Sequence, residues 1–300
     1  MLDYPLLAAL SAVVREGSFE RAARALHVTP SAVSQRVRLL EERMGGALVV
    51  RGQPCRATET GRRLCQHVDR VRLLEQALHD AVPALAPDGA ARVTLPVAVN
   101  ADSLATWFTP ALAAFAAEAP VLMHVAVDDQ DHTGEWLRNG TVLAAVTAAA
   151  RPVAGCDSRP LGAMRYVAAA SPAFVARHFA DGVGAGSLAQ APSLVFNAKD
   201  ELQTRWARRL CHRHVELPRH TLPSPQAFVT AAQAGMGWGL QLQALVAPAL
   251  ADGSLVELVP GTPLDVALHW QHARAASALL DGLTRTVLAA ARASLLQRGA

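Results

Sequence analysis

Residues 29–41 read Thr-Pro-Ser-Ala-Val-Ser-Gln-Arg-Val-Arg-Leu-Leu-Glu. Thr29 suits a helix cap, and Pro30 suits the first helical position, where a missing N–H costs nothing. On such a helix Val33, Val37 and Leu40 share the inner face. Ser31, Ser34, Gln35, Arg36 and Arg38 then point outward. That outward set can contact nucleic acid. Gln35 can pair with adenine through two hydrogen bonds, Arg36 or Arg38 with guanine, and the serines with bases or phosphates. The free N–H groups behind Thr29 can receive a phosphate. Arg51 lies further along, and Arg15, Arg21 and Arg24 lie upstream, all suited to backbone contact.

Such chemistry needs a rigid mount, and the flanking sequence supplies one. Leu6, Leu7, Leu10, Val13 and Val14 recur at a helical period until Gly17 breaks it. Ser18 caps a second short helix over Phe19–Leu26, with the small Ala22 and Ala23 facing inward. His27-Val28 is a turn, and Gly45-Gly46 ends the third helix. Two short extended segments, Ala47–Arg51 and Arg56–Thr58, surround Gly52-Gln-Pro54 and form a small β-wing. From Glu59 to about Leu85 a long helix follows, with Leu64, Val68, Val71, Leu78, Val82 and Leu85 at alternating three- and four-residue steps. Two readings of this helix stand: a seam between two copies, or packing on its own domain. The seam is favoured, because little in the first sixty residues is large enough to cover it. Pro83 and Pro87-Asp-Gly89 mark a linker.

The remaining residues alternate strand and helix. Strands are expected at Val93–Val99, Val121–Val127, Leu143–Thr147, Tyr166–Ala170, Leu194–Phe196, Gly237–Leu240, Leu255–Leu258 and Val266–Trp270. This pattern argues for a doubly wound α/β domain in two halves, with a ligand between them at the carboxyl ends of strands.

Charge locates a partner. The chain has 300 residues and a net charge of +3, yet residues 15–63 hold 10 Arg against 5 Glu. The excess of positive charge in one short stretch points to a polyanion. A solvated basic face is the plainer alternative. With 51% hydrophobic and 18% charged residues, the chain can bury sizeable cores and is not disordered. No apolar run approaches the roughly 18 residues of a membrane span. Met1-Leu-Asp-Tyr-Pro5 has no basic stretch before an apolar one, so a cytoplasmic location and no membrane partner are expected. Cys55, Cys65, Cys156 and Cys211 include no CxxC pair, so neither a disulfide nor structural zinc is expected. Cys211-His-Arg-His214, with His220 beyond, is the one metal-like cluster. If Gln203–His214 is helical, its histidines point to different faces, and no metal is expected. No GxSxG elbow, P-loop or dinucleotide fingerprint follows a strand, and Gly182-Val-Gly-Ala-Gly186 reads as a connector. No enzyme activity, catalytic residue or cofactor is expected. A winged helix used for protein contacts alone is disfavoured by the arginines around Ser34-Gln-Arg36.

Ser18-Phe-Glu-Arg-Ala-Ala-Arg-Ala-Leu26, the 29–41 segment and Thr58-Glu-Thr-Gly61 resemble the DNA-binding signature of LysR-type transcriptional regulators. The resemblance covers the whole chain. Val97-Ala-Val-Asn-Ala-Asp-Ser-Leu-Ala-Thr-Trp-Phe-Thr-Pro-Ala-Leu112 is similar to the ArgP/LysG branch, whose members respond to lysine and arginine and control basic amino-acid export. It implies an α+β multidomain protein. A winged helix–turn–helix spans 1–58, a linker dimerisation helix and hinge 59–89, and a two-lobed α/β periplasmic-binding-like effector domain 90–300. Lobe I takes about 90–162 and 268–300, and lobe II about 163–267. A homodimer or homotetramer acting at promoter DNA, with RNA polymerase as a further partner, is also implied.

The resemblance places the effector near Asn100-Ala-Asp-Ser103, Asp128-Asp-Gln130, Thr147, Phe196-Asn197 and Ser224-Pro-Gln226. These positions suit an amino acid. Ser103 at a helix start can hold an α-carboxylate, and Asp102, Asp128 or Asp129 can pair with an amine or guanidinium. Thr147, Asn197, Ser224 and Gln226 complete the expected set. Trp238 and Gln241 can reshape one cleft wall, because Gly239-Leu-Gln-Leu242 replaces the apolar-Pro run usual in the family.

Overall fold

Caps and glycines divide the first sixty residues as their order dictates. The computed structural model describes residues 2–81, 94–119, 121–128, 133–138 and 140–297, in two compact units, Met1–Val93 and Thr94–Ala300. In the first unit α1 (Tyr4–Glu16) stops at Gly17. α2 (Phe19–Ala25) starts at Ser18, whose Oγ accepts the Arg21 N–H at 3.1 Å. α3 (Pro30–Met44) starts at Thr29, whose Oγ1 accepts the Ala32 N–H at 3.2 Å. His27 makes the turn between α2 and α3 with φ 54, a left-handed conformation. Leu6, Leu7, Leu10, Val13, Ala22, Val33, Val37 and Leu40 close around one core. β1 (Val49–Val50) and β2 (Arg56–Ala57) pair antiparallel as the wing.

α4 (Glu59–Ala81) corrects one expectation. Its first half is covered by its own unit: Val68 is buried in the core, with Leu64 and Cys65 packed against it. Leu74 and Leu78, further along, are 60% and 51% exposed. Gly61 lets the start of α4 cross the wing, because a Cβ there would overlap the Leu48 carbonyl oxygen. Val82, Leu85 and the hinge expected at Pro83 and Pro87-Asp-Gly89 lie outside the described residues.

The second unit is built on a seven-stranded sheet. β3 (Thr94–Asn100) leads into α5 (Ala101–Ser103), a π-helical turn at Leu104–Phe108 and α6 (Thr109–Glu118). β4 (Leu122–Asp128), α7 (Thr133–Arg138), β5 (Ala144–Thr147) and β6 (Cys156–Ala170) follow. Then come α8 (Pro172–His178), α9 (Ala185–Leu188), β7 (Ser193–Val195), α10 (Leu202–Cys211) and β8 (Arg219–Thr221). α11 (Pro225–Gln233), β9 (Gly239–Leu242), α12 (Gln243–Ala251), β10 (Val256–Glu257), β11 (Leu264–Ala273) and α13 (Ser277–Ser294) complete the unit.

The sheet runs β10-β6-β11-β5-β3-β4, with β9 also on β6. It is parallel only around β3; β6 and β11 run antiparallel to their neighbours. A purely doubly wound reading misses the antiparallel course of these two long strands. β6 is 15 residues long, whereas the sequence shows only its Tyr166–Ala170 end. Pro160 and Gly162 hide the rest, because both argue against a strand interior. The register explains their presence: Leu268 pairs with Gly162 and His269 with Pro160, so Leu161 is the extra residue of a bulge. Gly162 has φ 125 there, and a Cβ would stand 2.8 Å from the Leu296 carbonyl oxygen. β8, for which the sequence carries no strand signal, pairs parallel with β7 in a separate two-stranded sheet. Among the described residues no helix is long and apolar enough to cross a membrane.

Candidate functional site

On the first unit, α3 carries the sequence-predicted residues as a row. Val33, Val37 and Leu40 are buried. Thr29, Ser31, Gln35 and Arg38 are exposed, while Ser34 and Arg36 are half-buried. Thr29 combines two tasks: it caps the helix, and its hydroxyl hydrogen-bonds that of Ser31 at 3.0 Å. The Arg38 Nε donates to Glu42 at 2.9 Å across one helical turn. Arg51 stands beside the wing with its guanidinium 5.5 Å from the centre of the Phe19 ring. Glu41 does the mounting. Its carboxylate accepts the N–H groups of Leu48 at 2.8 Å and Val49 at 3.3 Å, tying α3 to the wing. The charge of Glu41 within a basic segment is the sequence signal for that role.

The second unit contains a cleft enclosing about 490 Å³ of space open to solvent. Among the described residues three acids line it, Asp102, Asp128 and Asp200, with Gln241 as the fourth polar residue. Ala101, Phe196, Leu202, Pro225, Phe228, Leu240, Leu242 and Leu245 supply apolar walls. No lysine or arginine stands among the described lining residues. Four helix starts converge here. Ala101 opens α5, Leu202 opens α10, Pro225 opens α11, and Leu242 caps α12. Helix starts carry positive partial charge and free N–H groups. The cleft therefore offers two opposite chemistries, carboxylates for cations and helix starts for an anion.

Its acids are anchored differently. Asp102 Oδ2 accepts the Tyr166 hydroxyl at 2.7 Å, and Asp128 Oδ2 accepts the Trp136 indole N–H at 3.0 Å. The Asp200 carboxylate accepts the N–H groups of Phe196 at 2.9 Å and Leu202 at 3.0 Å. Burial pushes the Asp200 pKa above the ordinary carboxylate value, and these two N–H groups oppose that shift. Sequence reasoning missed Asp200. Its only local signal is a carboxylate two residues before the first residue of α10.

Of the residues expected around an effector, Asp102 and Asp128 line the cleft, and so does Gln241. Five do not. Ser103 is not at the helix start: the helix begins at Ala101, Ser103 is buried, and its hydroxyl points at the Met164 sulfur at 3.5 Å. Thr147 is buried, and its Oγ1 accepts the Ala149 N–H. Asn197 is half-buried and folds back to accept the Lys199 N–H at 2.7 Å. Ser224 caps α11 through the Ala227 N–H, and Gln226 is exposed on that helix. Asp129 lies outside the described residues. Trp238 is fully buried, packed on Trp206 with ring centres 5.3 Å apart, behind the wall rather than on it.

The Cys211 cluster is also rearranged. α10 ends at Cys211, and His212 turns left-handed with φ 54, so no helix carries His214. Among the described residues no group of three His, Cys, Asp or Glu could hold a metal ion.

Family models match both units. Residues 5–62 match the lysR-family bacterial regulatory helix-turn-helix protein, and residues 88–292 match the LysR substrate binding domain. The chain belongs to the LysR family. Within it, this regulator falls in the ArgP/LysG branch. It is 48% identical over 299 residues to the transcriptional regulator ArgP of Pseudomonas aeruginosa (strain UCBPP-PA14), covering 99% of this chain and 98% of that one. The crystal structure of ArgP from Mycobacterium tuberculosis matches with a TM-score of 0.82 and 46% identity, covering 100% of both chains. Full-length LysG of Corynebacterium glutamicum, solved with the effector Arg bound, matches at 37% identity and a TM-score of 0.70, covering 98% of this chain and 100% of that one. This LysR-family protein is a DNA-binding transcriptional regulator and not an enzyme.

Proposed function

We propose that arginine or lysine binds in the cleft of the second unit and modulates the regulator's action at a promoter. The observation that carries this reading is the lining itself: among the described residues, three aspartates, no lysine or arginine, and helix starts on the same walls. A basic amino acid matches both chemistries. Its α-carboxylate faces the helix starts, and its ammonium or guanidinium faces Asp102, Asp128 and Asp200. The likeness to LysG solved with Arg supports the same ligand class.

The working arrangement is that of the sequence reading. Residues 1–58 read double-stranded promoter DNA through Thr29, Ser31, Ser34, Gln35, Arg36, Arg38 and Arg51. Residues 59–89 join the chains of a homodimer or homotetramer. Residues 90–300 take the effector between the lobes. Ligand binding shifts an existing conformational equilibrium, which alters half-site geometry and DNA bending. The target is a basic amino-acid exporter gene, reached in the cytoplasm together with RNA polymerase.

Calorimetry on the full chain tests the effector. Arginine and lysine are expected to give saturable heat. Citrulline, which keeps arginine's shape without its charge, is expected to give none. Equal binding of citrulline would remove the aspartates from the explanation.

A further inference from the structure

Tyr166 is 1% exposed and donates its hydroxyl proton to Asp102 Oδ2 at 2.7 Å. The two residues sit on different elements: Asp102 in the first turn after β3, Tyr166 on β6. Tyr166 stands where β6 changes partners. It pairs with Leu264 of β11 and with Leu242 of β9; upstream β6 runs along β11, and downstream along β9 and then β10.

Met164, two residues earlier and also buried, tightens the link. Its sulfur lies 3.5 Å from Ser103 Oγ, 3.8 Å from Asn100 Nδ2 and 3.8 Å from the Tyr166 oxygen. A phenol has one proton, and an ionised carboxylate at 2.7 Å is a far better acceptor than a thioether at 3.8 Å. Tyr166 therefore directs its hydrogen bond to Asp102, and the sulfur packs behind it. Asn100 and Ser103 flank Asp102 in the chain and reach the same sulfur. The turn that presents the cleft carboxylate is thus tied to β6 through Asn100, Asp102 and Ser103.

We propose that Tyr166 is a positioning residue for effector recognition. It sets the orientation in which Asp102 receives the effector's cationic group, and it couples that carboxylate to the strand on which β11 gives way to β9. The proposal rests on reading the cleft as a cationic amino-acid site. A buried phenol suits this task, because a charge-assisted bond away from water holds a carboxylate in one orientation without neutralising it.

The test is a double-mutant cycle on the full chain, read by calorimetry with L-arginine. Tyr166→Phe keeps the ring and is expected to bind arginine about ten-fold or more weakly, as losing a hydrogen bond to a charged group does. Asp102→Ala is expected to weaken binding as well. In the Asp102→Ala background, Tyr166→Phe is expected to add nothing, which a general structural role could not produce. Wild-type affinity in Tyr166→Phe, or the same loss in both backgrounds, overturns the proposal. A spectroscopic arm does not depend on that variant folding. The chain has two tyrosines, so in Tyr4→Phe protein labelled with 3-fluorotyrosine the single fluorine signal reports Tyr166. That signal is expected to shift with the arginine isotherm; a signal unmoved at saturation overturns the proposal. Wild-type protein giving no heat with arginine or lysine is a separate result. It defeats the cleft reading itself, and the role of Tyr166 falls with it.

Discussion

Asp200 is 3% exposed and lines the cleft, and its carboxylate accepts two backbone N–H groups. Burial raises its pKa against those bonds. Folded protein then holds the proton to higher pH than unfolded protein does. The stability this contributes is complete below the ordinary carboxylate range and is lost as pH rises through the raised value. A cation seated nearby favours the ionised form. Arginine affinity is therefore expected to increase with pH across that window, with proton release on binding. Calorimetry in buffers of different ionisation heat measures the release, and Asp200→Asn is expected to abolish it. On α3, Arg36 and Arg38 separate by context. Arg38 already pairs with Glu42 on an exposed surface, a bond worth about 0.2–1 kcal/mol. Arg36→Ala is expected to cost about 1–3 kcal/mol of specific DNA affinity if it reads a base, measured by mobility shift against matched and scrambled sites. Asp102 and Asp128 were legible as acids after strands. Asp200 was not, because nothing near it in the chain reveals that it lines the same cleft as the other two.

Helices were the most legible elements, strands the least. Ser18, Thr29, Gly17 and Gly45 act through their nearest neighbours, so α1, α2 and α3 could be placed from spacing alone. β6 depends on distant pairing: its bulge makes sense of Pro160 and Gly162 only once β11 lies alongside. α4 falls between these cases. Its spacing is that of a seam, yet the fold spends Leu64 and Val68 on its own core and leaves Leu74 and Leu78 exposed. Burying a leucine contributes about 1.5–3 kcal/mol. Leu74→Glu with Leu78→Glu is therefore expected to shift the chain toward monomer, seen as a concentration-dependent change in sedimentation, while the melting midpoint of the first unit stays near that of wild type. An unchanged association constant would move the interface elsewhere.

At the scale of the whole molecule, the candidate sites of the two units present opposite electrostatics. The first has exposed arginines around α3 and the wing; the second has a cleft lined, among the described residues, by aspartates and by no lysine or arginine. Ionic strength should separate their functions. DNA affinity is expected to fall log-linearly with salt, by a slope of about 0.9 for each phosphate neutralised. Arginine affinity, arising inside a partly enclosed cleft, is expected to fall much less, because buried pairs are screened less than exposed ones. Parallel titrations of DNA and arginine over the same salt series measure both. A flat DNA response would contradict phosphate contact by the arginine-rich unit.

The DNA-reading module was settled by its amino-acid order, since caps, turns and helical period act within a few residues and the outward row of α3 follows directly. The composition of the cleft was decided by folding. Strand register and four separate helix starts bring Asp102, Asp128 and Asp200 around one cleft, and they turn Ser103, Thr147 and Asn197 to other partners. The reason is physical: a local conformational preference is carried by neighbouring residues, whereas the choice of which side chains share a cavity is made by contacts between segments far apart in the chain.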